Sequence, residues 1–141
     1  MVKQLSILID QRPERLAELI SFLKTHHIDL RFAVLTTDSS YSVLRALSPD
    51  AQGALKALQD AGYTAFLRDT LFIEMGNRYM TLTGVLDLLS AQNISVEEFV
   101  WVSSPGMEPS LLCRASDMQA AGQVLRANGM RLLDDRTLWG I

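Results

Sequence analysis

Two arginines occupy equivalent places in this chain of 141 residues, each in a polar segment that precedes an amphipathic stretch. Arg12 lies in the run DQRPE at 10–14, and Arg78 follows Asn77 at an offset of 66 positions. A guanidinium is well suited to recruit an anion such as a carboxylate. The same recurrence follows if both arginines were inherited through a duplication. The residues alone leave both interpretations open.

The other polar side chains of these segments have structural as well as chemical uses. Asp10 follows an apolar run and can cap a turn or a helix. Glu14 is favoured in a first helical turn by the helix dipole alone. Asn77 is either a ligand-binding amide or the residue that closes an Asx turn.

Residues with catalytic or metal-binding chemistry are few and isolated. His26 and His27 are adjacent, so on a helix they point about 100° apart and chelate one metal poorly, whereas a helix C-terminus favours them. Cys113 lies in the apolar run LLCRA, which predicts a buried, inert thiol. The chain offers no Ser-His-Asp set, no Cys-His pair and no phosphate-binding glycine loop. We therefore predict no enzyme, no metal and no cofactor; a small oxygenase or isomerase would need a pocket of reactive side chains.

Composition narrows the possible partners and the compartment. The net charge is −3 and the 13 lysines and arginines are spread along the chain, which argues against nucleic acid. A single cysteine excludes a disulfide framework and fits a reducing cytoplasm. Lys3 and Asp10 interrupt the first apolar run, which predicts a strand and not a signal peptide. No apolar stretch approaches the roughly 20 residues that span a bilayer, so no membrane partner is expected.

The chain contains an internal repeat. At an offset of 66, the matching residues are Arg12, Leu16, Leu23 and Ile28 with Arg78, Leu82, Leu89 and Ile94. At an offset of 67, they are Asp50, Gln52, Ala54, Leu58 and Gly62 with Asp117, Gln119, Ala121, Leu125 and Gly129. A repeat of this length indicates a duplicated small domain, with units at residues 1–69 and 70–141. Units of about 70 residues are near the lower limit for an independent core, so we expect the halves to pack together.

Hydrophobic periodicity predicts the same six elements in each unit. The first unit has strands at 2–9, 28–36, 41–47 and 63–68, and helices at 13–26 and between Asp50 and Gly62. The second has strands at 70–75, 94–102, 110–115 and 130–134, and helices at about 79–92 and 117–127. The order is therefore βαββαβ in both units.

This order predicts an α/β fold, more fully an α+β sandwich of the ferredoxin-like type, with both helices on one face of an antiparallel sheet. The second strand of each unit lies at a sheet edge, and exposed edges invite pairing. We therefore expect the units to form one eight-stranded antiparallel sheet with the helices on one face. Both faces of the strand at 94–102 are apolar near its end, which favours a homodimer that covers the open face.

The tandem βαββαβ units resemble ACT domains, the small-molecule regulatory modules of amino-acid metabolism. Residues 10–19 (DQRPERLAEL) resemble the family signature of an acidic or Asn residue, a basic residue, Pro, Gly and x-Leu. The segments Ile28-Asp29-Leu30 and Ile94-Ser95-Val96 resemble the start of its second strand. The resemblance covers the whole chain and points to small proteins made of two ACT units without an enzyme domain.

The resemblance implies that an amino acid binds where the loop after the first strand of one unit faces the second-strand start of the other. Such a loop feeds a helix N-terminus, whose N–H groups suit a ligand carboxylate, while a side-chain amide or carboxylate receives the ammonium. Carried over, the first site combines Asp10, Gln11, Arg12, Pro13 and Glu14 with Ser95 and Val96. The second site combines Asn77 and Arg78 with Asp29 and Leu30.

The chain departs from the family pattern where the family has glycine, which lets a ligand approach the backbone closely. Glu14 replaces this glycine in the first unit, and Tyr79-Met80 replaces Pro-Gly in the second. Two hypotheses follow. The chain is a non-enzymatic regulatory protein that binds an amino acid and passes its occupancy to a protein partner. Alternatively, it is a structural or protein-interaction module whose sites have degenerated.

Overall fold

The computed structural model describes residues 1–38, 40–75 and 82–140. The chain separates into two compact units. The N-terminal unit comprises Lys3–Arg68, and the C-terminal unit comprises Asp69–Ile141 together with Met1–Val2. The boundary falls within a continuous strand, Thr64–Glu74, and not in a linker.

The N-terminal unit has the predicted βαββαβ order. Its elements are β1 (Val2–Asp10), α1 (Pro13–Thr25), β2 (Arg31–Thr37), β3 (Tyr41–Leu47), α2 (Ala51–Asp60) and the first part of β4 (Thr64–Glu74). The strands lie in the order β2-β3-β1-β4, with β3 antiparallel to both of its neighbours. This is the ferredoxin-like arrangement, and β2 lies at the edge as expected.

The C-terminal unit repeats this order from the second part of β4. Its further elements are α3 (Leu82–Ala91), β5 (Val96–Val102), β6 (Ser110–Ala115), α4 (Met118–Ala127), β7 (Arg131–Leu133) and α5 (Asp135–Trp139). Strand β4 pairs antiparallel with β6 and with β7, and β6 pairs antiparallel with β5. The order is therefore β7-β4-β6-β5, with β5 at the edge.

The described residues form seven strands, where eight were expected. The predicted strands at 63–68 and 70–75 are one strand, β4, because Asp69 and Thr70 continue the extended backbone and do not turn it. The short helix α5 was not predicted. Asp134 caps it by accepting a hydrogen bond from the Thr137 amide at 2.8 Å, and Gly140 ends it in the left-handed region with φ at 72°. The expected joining of the β2 and β5 edges is wrong for the described residues, because these two strands are the first and last in the strand order and do not pair with each other.

Each unit buries its own core between its helices and one face of its sheet. In the N-terminal unit, Leu5, Ile7 and Ile9 of β1 pack with Leu19 of α1 and Leu58 of α2. Because successive side chains of a strand point to opposite faces, Gln4, Ser6 and Leu8 lie on the face of β1 away from the helices. The C-terminal core is built likewise from Leu71, Ile73, Val85, Leu89, Leu111 and Leu125.

The matched helices α2 and α4 begin in the same way. The Asp50 carboxylate accepts a hydrogen bond from the Gly53 amide at 3.0 Å, and the Asp117 carboxylate accepts one from the Ala120 amide at 3.0 Å. A Cβ at residue 53 would overlap the Asp50 carboxylate where it now lies. The cap itself does not require glycine, because Ala120 takes the equivalent position in α4. None of the helices in the described residues is long and apolar enough to cross a membrane.

We predict that Leu58→Ala lowers the free energy of unfolding of the N-terminal unit by about 2–5 kcal/mol, because it empties a fully buried position. Ile20→Ala is the matched control, since Ile20 lies on the neighbouring helix α1 with 43% of its surface exposed. The control should change stability by only about 0.5 kcal/mol. Urea unfolding of both variants measures the difference, and equal losses would contradict this assignment of the core.

Candidate ligand-binding site

The loop between β1 and α1 carries most of the first predicted site. Asp10 ends β1, and Pro13 begins α1, where its missing N–H is not needed. Arg12 holds the capping position in an extended conformation, and no described side chain caps this helix. The other helices with a described capping residue are capped by aspartates, namely α2 by Asp50, α4 by Asp117 and α5 by Asp134. Pro13 has no N–H, and the Arg15 amide donates to the Arg12 carbonyl at 2.9 Å. The Glu14 amide is therefore the donor that the first turn of α1 keeps for another acceptor.

Asp10 and Arg12 form a forked ion pair across this loop. The Arg12 Nε lies 3.1 Å from Asp10 Oδ1, and Nη2 lies 3.0 Å from Oδ2. The Arg12 backbone amide also donates to Oδ1 at 3.2 Å, and Arg15 Nε lies 3.6 Å from Oδ2. The hydrogen bonds from Arg12 lower the pKa of Asp10 below its ordinary value. Arg15 belongs to this cluster but was missed from the sequence.

The remaining loop residues point to different neighbours. The Gln11 amide donates to the backbone carbonyl of Asp38, in the turn between β2 and β3. The Asp38 amide in turn donates to the Tyr41 carbonyl at 2.9 Å, so Gln11 ties the loop to a closed turn. The Glu14 carboxylate is exposed, and its Oε1 lies 4.0 Å from Arg12 Nη1. Glu14 therefore extends the charged cluster into solvent.

Asp29 and Leu30 lie just before β2 in the same unit. The Asp29 carboxylate accepts from Arg31 Nε at 3.1 Å and lies 3.0 Å from its Nη2, while Leu30 packs against the core. Asp29 also lines a cavity of about 350 Å³ with His26, His27 and the segment 48–50. His26 stacks on Phe22 with ring centroids 4.0 Å apart, which is a structural role at the helix end.

Ser95 and Val96 lie at the equivalent place in the C-terminal unit. The Ser95 amide donates to Ser116 Oγ at 3.1 Å, and its carbonyl accepts from the Ser116 amide at 2.8 Å. Val96 pairs with Ala115 and packs against the core. Both residues line a cavity of about 370 Å³ together with Leu86, Ser90 and Asn93.

The two cavities share a repeat-equivalent loop, residues 27–29 and 93–95, but the first extends to the start of α2 and the second to Leu86 and Ser90 of α3. Each lies beside a left-handed residue after the first helix of the unit, His27 with φ at 53° and Asn93 with φ at 59°. Histidine and asparagine are among the non-glycine residues that adopt this conformation most readily. The offset of 66 between them shows that the duplication preserved this corner.

Part of the second predicted site cannot be placed. Asn77 and Arg78 lie outside the described residues, as do Tyr79 and Met80. Among the described residues, no group of three or more histidine, cysteine, aspartate or glutamate side chains is arranged to hold a metal. Cys113 is fully buried, and desolvation raises the pKa of its thiol to about 11.

Comparisons with known proteins identify a family that matches this chain and solved structures that resemble it. The model of the ACT domain pair family matches residues 1–141. A crystal structure of a protein from Bacteroides thetaiotaomicron is 26% identical with a TM-score of 0.87, over 99% of this chain and 96% of that one. The ligand-free regulatory subunit of aspartate kinase from Thermus thermophilus is 18% identical with a TM-score of 0.57, over 89% of this chain and 91% of that one. The same subunit from Thermus flavus is 19% identical with a TM-score of 0.58, over 89% of this chain and 88% of that one. No curated protein matches.

We predict that Arg12→Gln raises the pKa of Asp10 toward its ordinary value of 3.8, because the two guanidinium hydrogen bonds to the charged carboxylate are lost while the backbone one remains. A lowered pKa stabilises the fold above this ordinary value, and the contribution disappears as the pH falls through the folded value. The variant should therefore lose less stability in acid than the parent. NMR titration of the Asp10 carboxyl measures the shift. Arg31→Gln, which removes the partner of Asp29, is the control, and identical Asp10 titrations in all three proteins would refute the pairing.

We predict that Cys113 resists alkylation in the folded protein at pH 7. With a thiol pKa of about 11, roughly one molecule in ten thousand carries the reactive thiolate. Mass spectrometry after iodoacetamide treatment should show modification in urea and almost none without it. Rapid modification of the folded protein would contradict the inert assignment.

Proposed function

The chain belongs to the family of ACT domain pairs, and on that premise we propose that it is a non-enzymatic regulatory protein that binds a small amino-acid ligand. The likeness to two regulatory subunits of aspartate kinase supports a regulatory role. The proposal includes a protein partner that responds to ligand occupancy of the site, a homodimer and a cytoplasmic location. It also keeps the division of the duplication at residues 1–69 and 70–141.

The observation that carries the proposal is the uncapped N-terminus of α1 beside a charged pair. An α-amino acid carries a carboxylate and an ammonium on one carbon. The Glu14 amide and the Arg12 guanidinium suit the carboxylate, since both are donors to anions. The Asp10 carboxylate suits the ammonium. The loop thus holds complementary groups for both ends of the ligand within a few residues.

Ligand binding requires Asp10 and Arg12 to exchange each other for the ligand, and the free-energy cost of this exchange is small. Asp10 and Arg12 are bound to each other, yet their side chains are 41% and 63% exposed. Exposed ion pairs contribute only about 0–1 kcal/mol, so a zwitterion can replace the internal pair with two new pairs at small cost. The exchange leaves the total charge of the loop unchanged and reorients Arg12 toward the ligand.

The proposed ligand-binding residues are those carried over by the family resemblance. The first set is Asp10, Gln11, Arg12, Pro13 and Glu14 with Ser95 and Val96. The second set is Asn77 and Arg78 with Asp29 and Leu30. A ligand that contacts two segments favours the arrangement in which both contacts form, and its differential affinity is the signal passed to a partner.

Several of the proposed ligand-binding residues already make hydrogen bonds within the protein, and these bonds favour a second function. Gln11 is bound to the Asp38 carbonyl, and both backbone groups of Ser95 are bound to Ser116. Glu14 places an anion where the family has a glycine. These features fit a structural or protein-interaction module whose loops are closed by internal bonds.

Thermal melting against the standard amino acids at millimolar concentration distinguishes the two functions. A ligand at 100 times its dissociation constant adds roughly 2.7 kcal/mol, which raises the melting temperature by several degrees for a chain of this size. We expect such a shift with one amino acid or a related group. Arg12→Gln and Gln11→Ala should reduce it if the first set binds, and Asn77→Ala if the second does.

Lys56→Gln is the control for these variants, because Lys56 is exposed on α2 and pairs with Asp60. It should melt with the same ligand response as the parent protein. A panel without any shift would favour the interaction module. A shift that survives all three site substitutions would show that the ligand binds elsewhere.

A further inference from the structure

Strands β2 and β5 are the first and last in the strand order, and both carry exposed apolar side chains. In the described part of the chain, β2 is joined in this order to β3 and β5 to β6. Leu35 of β2 is 44% exposed, and Phe99 and Trp101 of β5 are 45% and 50% exposed. The bulge in each strand lies near its start, so regular extended backbone follows it. Apolar edges of this kind are the ones that pair with another strand.

The exposed apolar side chains of both edges lie on the helix face of their sheet. Leu35 is the register partner of Leu44, which packs against the N-terminal core. Trp101, its repeat equivalent at an offset of 66, is the partner of Leu111 in the C-terminal core. Directly opposite residues of an antiparallel pair share a face, and Phe99 shares it with Trp101 because side chains alternate. A strand added at either edge therefore extends a face that is already apolar.

The charged loop at residues 10–14 lies at the C-terminal end of β2. Strands β1 and β2 are both antiparallel to β3, so they run parallel to each other and finish at the same end of the sheet. The Gln11 amide donates to the carbonyl of Asp38, the residue that follows β2. A strand that pairs with β2 therefore passes beside this loop.

An antiparallel strand added to β2 begins where β2 ends. Half a turn about an axis normal to the sheet relates two like units in this way, and it keeps their helices on one face. If the added strand is β5, its start brings Ser95 and Val96 to the loop at 10–14. These are the segments that the family resemblance assigns to one site. Because β2 and β5 of one chain do not pair with each other, a second copy is the partner that supplies the β5 edge.

One register of this pairing suits the side chains on the shared face. With Leu35 opposite Phe99 of a second copy, Trp101 of that copy lies opposite Ala33, whose small side chain leaves room for the indole. The start of β5 then lies beside Asp38, to which Gln11 is bound. Cross-strand pairs of an aromatic with an aliphatic side chain stabilise antiparallel sheets.

We propose that the amino-acid site is completed between two copies of the chain, with the loop at 10–14 from one copy and Ser95 and Val96 from the other, held together by β2–β5 pairing. The inference rests on the proposed function, which supplies this set of residues. Each copy offers one β2 and one β5 edge, so the reciprocal contact has twofold symmetry and forms the site twice. A ligand that contacts both copies favours the dimer by its differential affinity.

Cysteine crosslinking tests the contact without any ligand. Glu14→Cys and Ser95→Cys each add one exposed thiol, whereas the native Cys113 is fully buried. The two variants are mixed, left to exchange subunits, and treated with bismaleimidoethane. We expect covalent dimers on a denaturing gel from the mixture and only background from either variant alone. Lys56→Cys on α2, mixed with Ser95→Cys, is the matched control and should give background. No covalent dimer above background would overturn the proposal.

Substitutions at the two edges test the strand pairing itself. Trp101→Glu should convert the dimer to a monomer, because a charge on an edge strand opposes pairing. Leu35→Lys at the other edge should do the same, so the test remains if one variant does not fold. Ile20→Glu is the control, since Ile20 is 43% exposed on α1 and should leave the dimer intact. Analytical ultracentrifugation measures the mass, and circular dichroism confirms the fold. A monomeric parent, or a dimer that survives both edge substitutions, would refute β2–β5 pairing.

These measurements separate the assembly from the amino-acid function. The expected crosslinks in a protein whose melting temperature responds to none of the amino acids would support the assembly and contradict the amino-acid function. A melting shift in a protein that stays monomeric, or that gives no crosslink between residues 14 and 95, would keep the function and overturn the shared site.

Discussion

The period-two alternation of β1 is the constraint on which the rest of the N-terminal unit depends. Leu5, Ile7 and Ile9 must face the helices to build a core in so short a unit. The same alternation commits Ser6 and Leu8 to the opposite face. It also fixes where β1 ends, so that the chain leaves the sheet at Asp10 and enters α1 at Pro13. The place of the charged loop is a consequence of this one register.

The features that sequence predicted well are those set by local pattern. The apolar spacing of α1 and the aspartates before α2 and α4 determine elements through nearby residues, and the repeat supplied a second instance of each. Strand β4 was divided in two because Asp69 and Thr70 have the composition of a linker. Thr70 is nevertheless buried, with its hydroxyl donating to the Cys113 carbonyl, so pairing with β6 overrides local preference. Helix α5 was missed because five residues give too little periodicity.

The candidate site was predicted as a set of residues but not as a set of bonds. The pairing of Asp10 with Arg12 depends on the extended backbone of Arg12, which no spacing rule gives. The bond from Gln11 to Asp38 joins residues 27 positions apart in the chain. Arg15 left a signal in its spacing to Glu18, with which it forms an ion pair at 2.8 Å across one helical turn. The Nε of the same guanidinium lies 3.6 Å from Asp10 Oδ2, a contact that this spacing does not predict.

Duplication explains how one fold can carry two unlike surfaces. Both copies keep the core positions, since Ile7 and Ile73 are each buried in their own cluster. The face away from the helices lies outside these clusters, although Ser6, Phe72 and Leu112 are buried on it. In the C-terminal copy this position became Phe72 with Leu112, and in the N-terminal copy it is Ser6 with Arg45. A buried hydroxyl and a half-buried guanidinium are costlier to desolvate than an apolar pair.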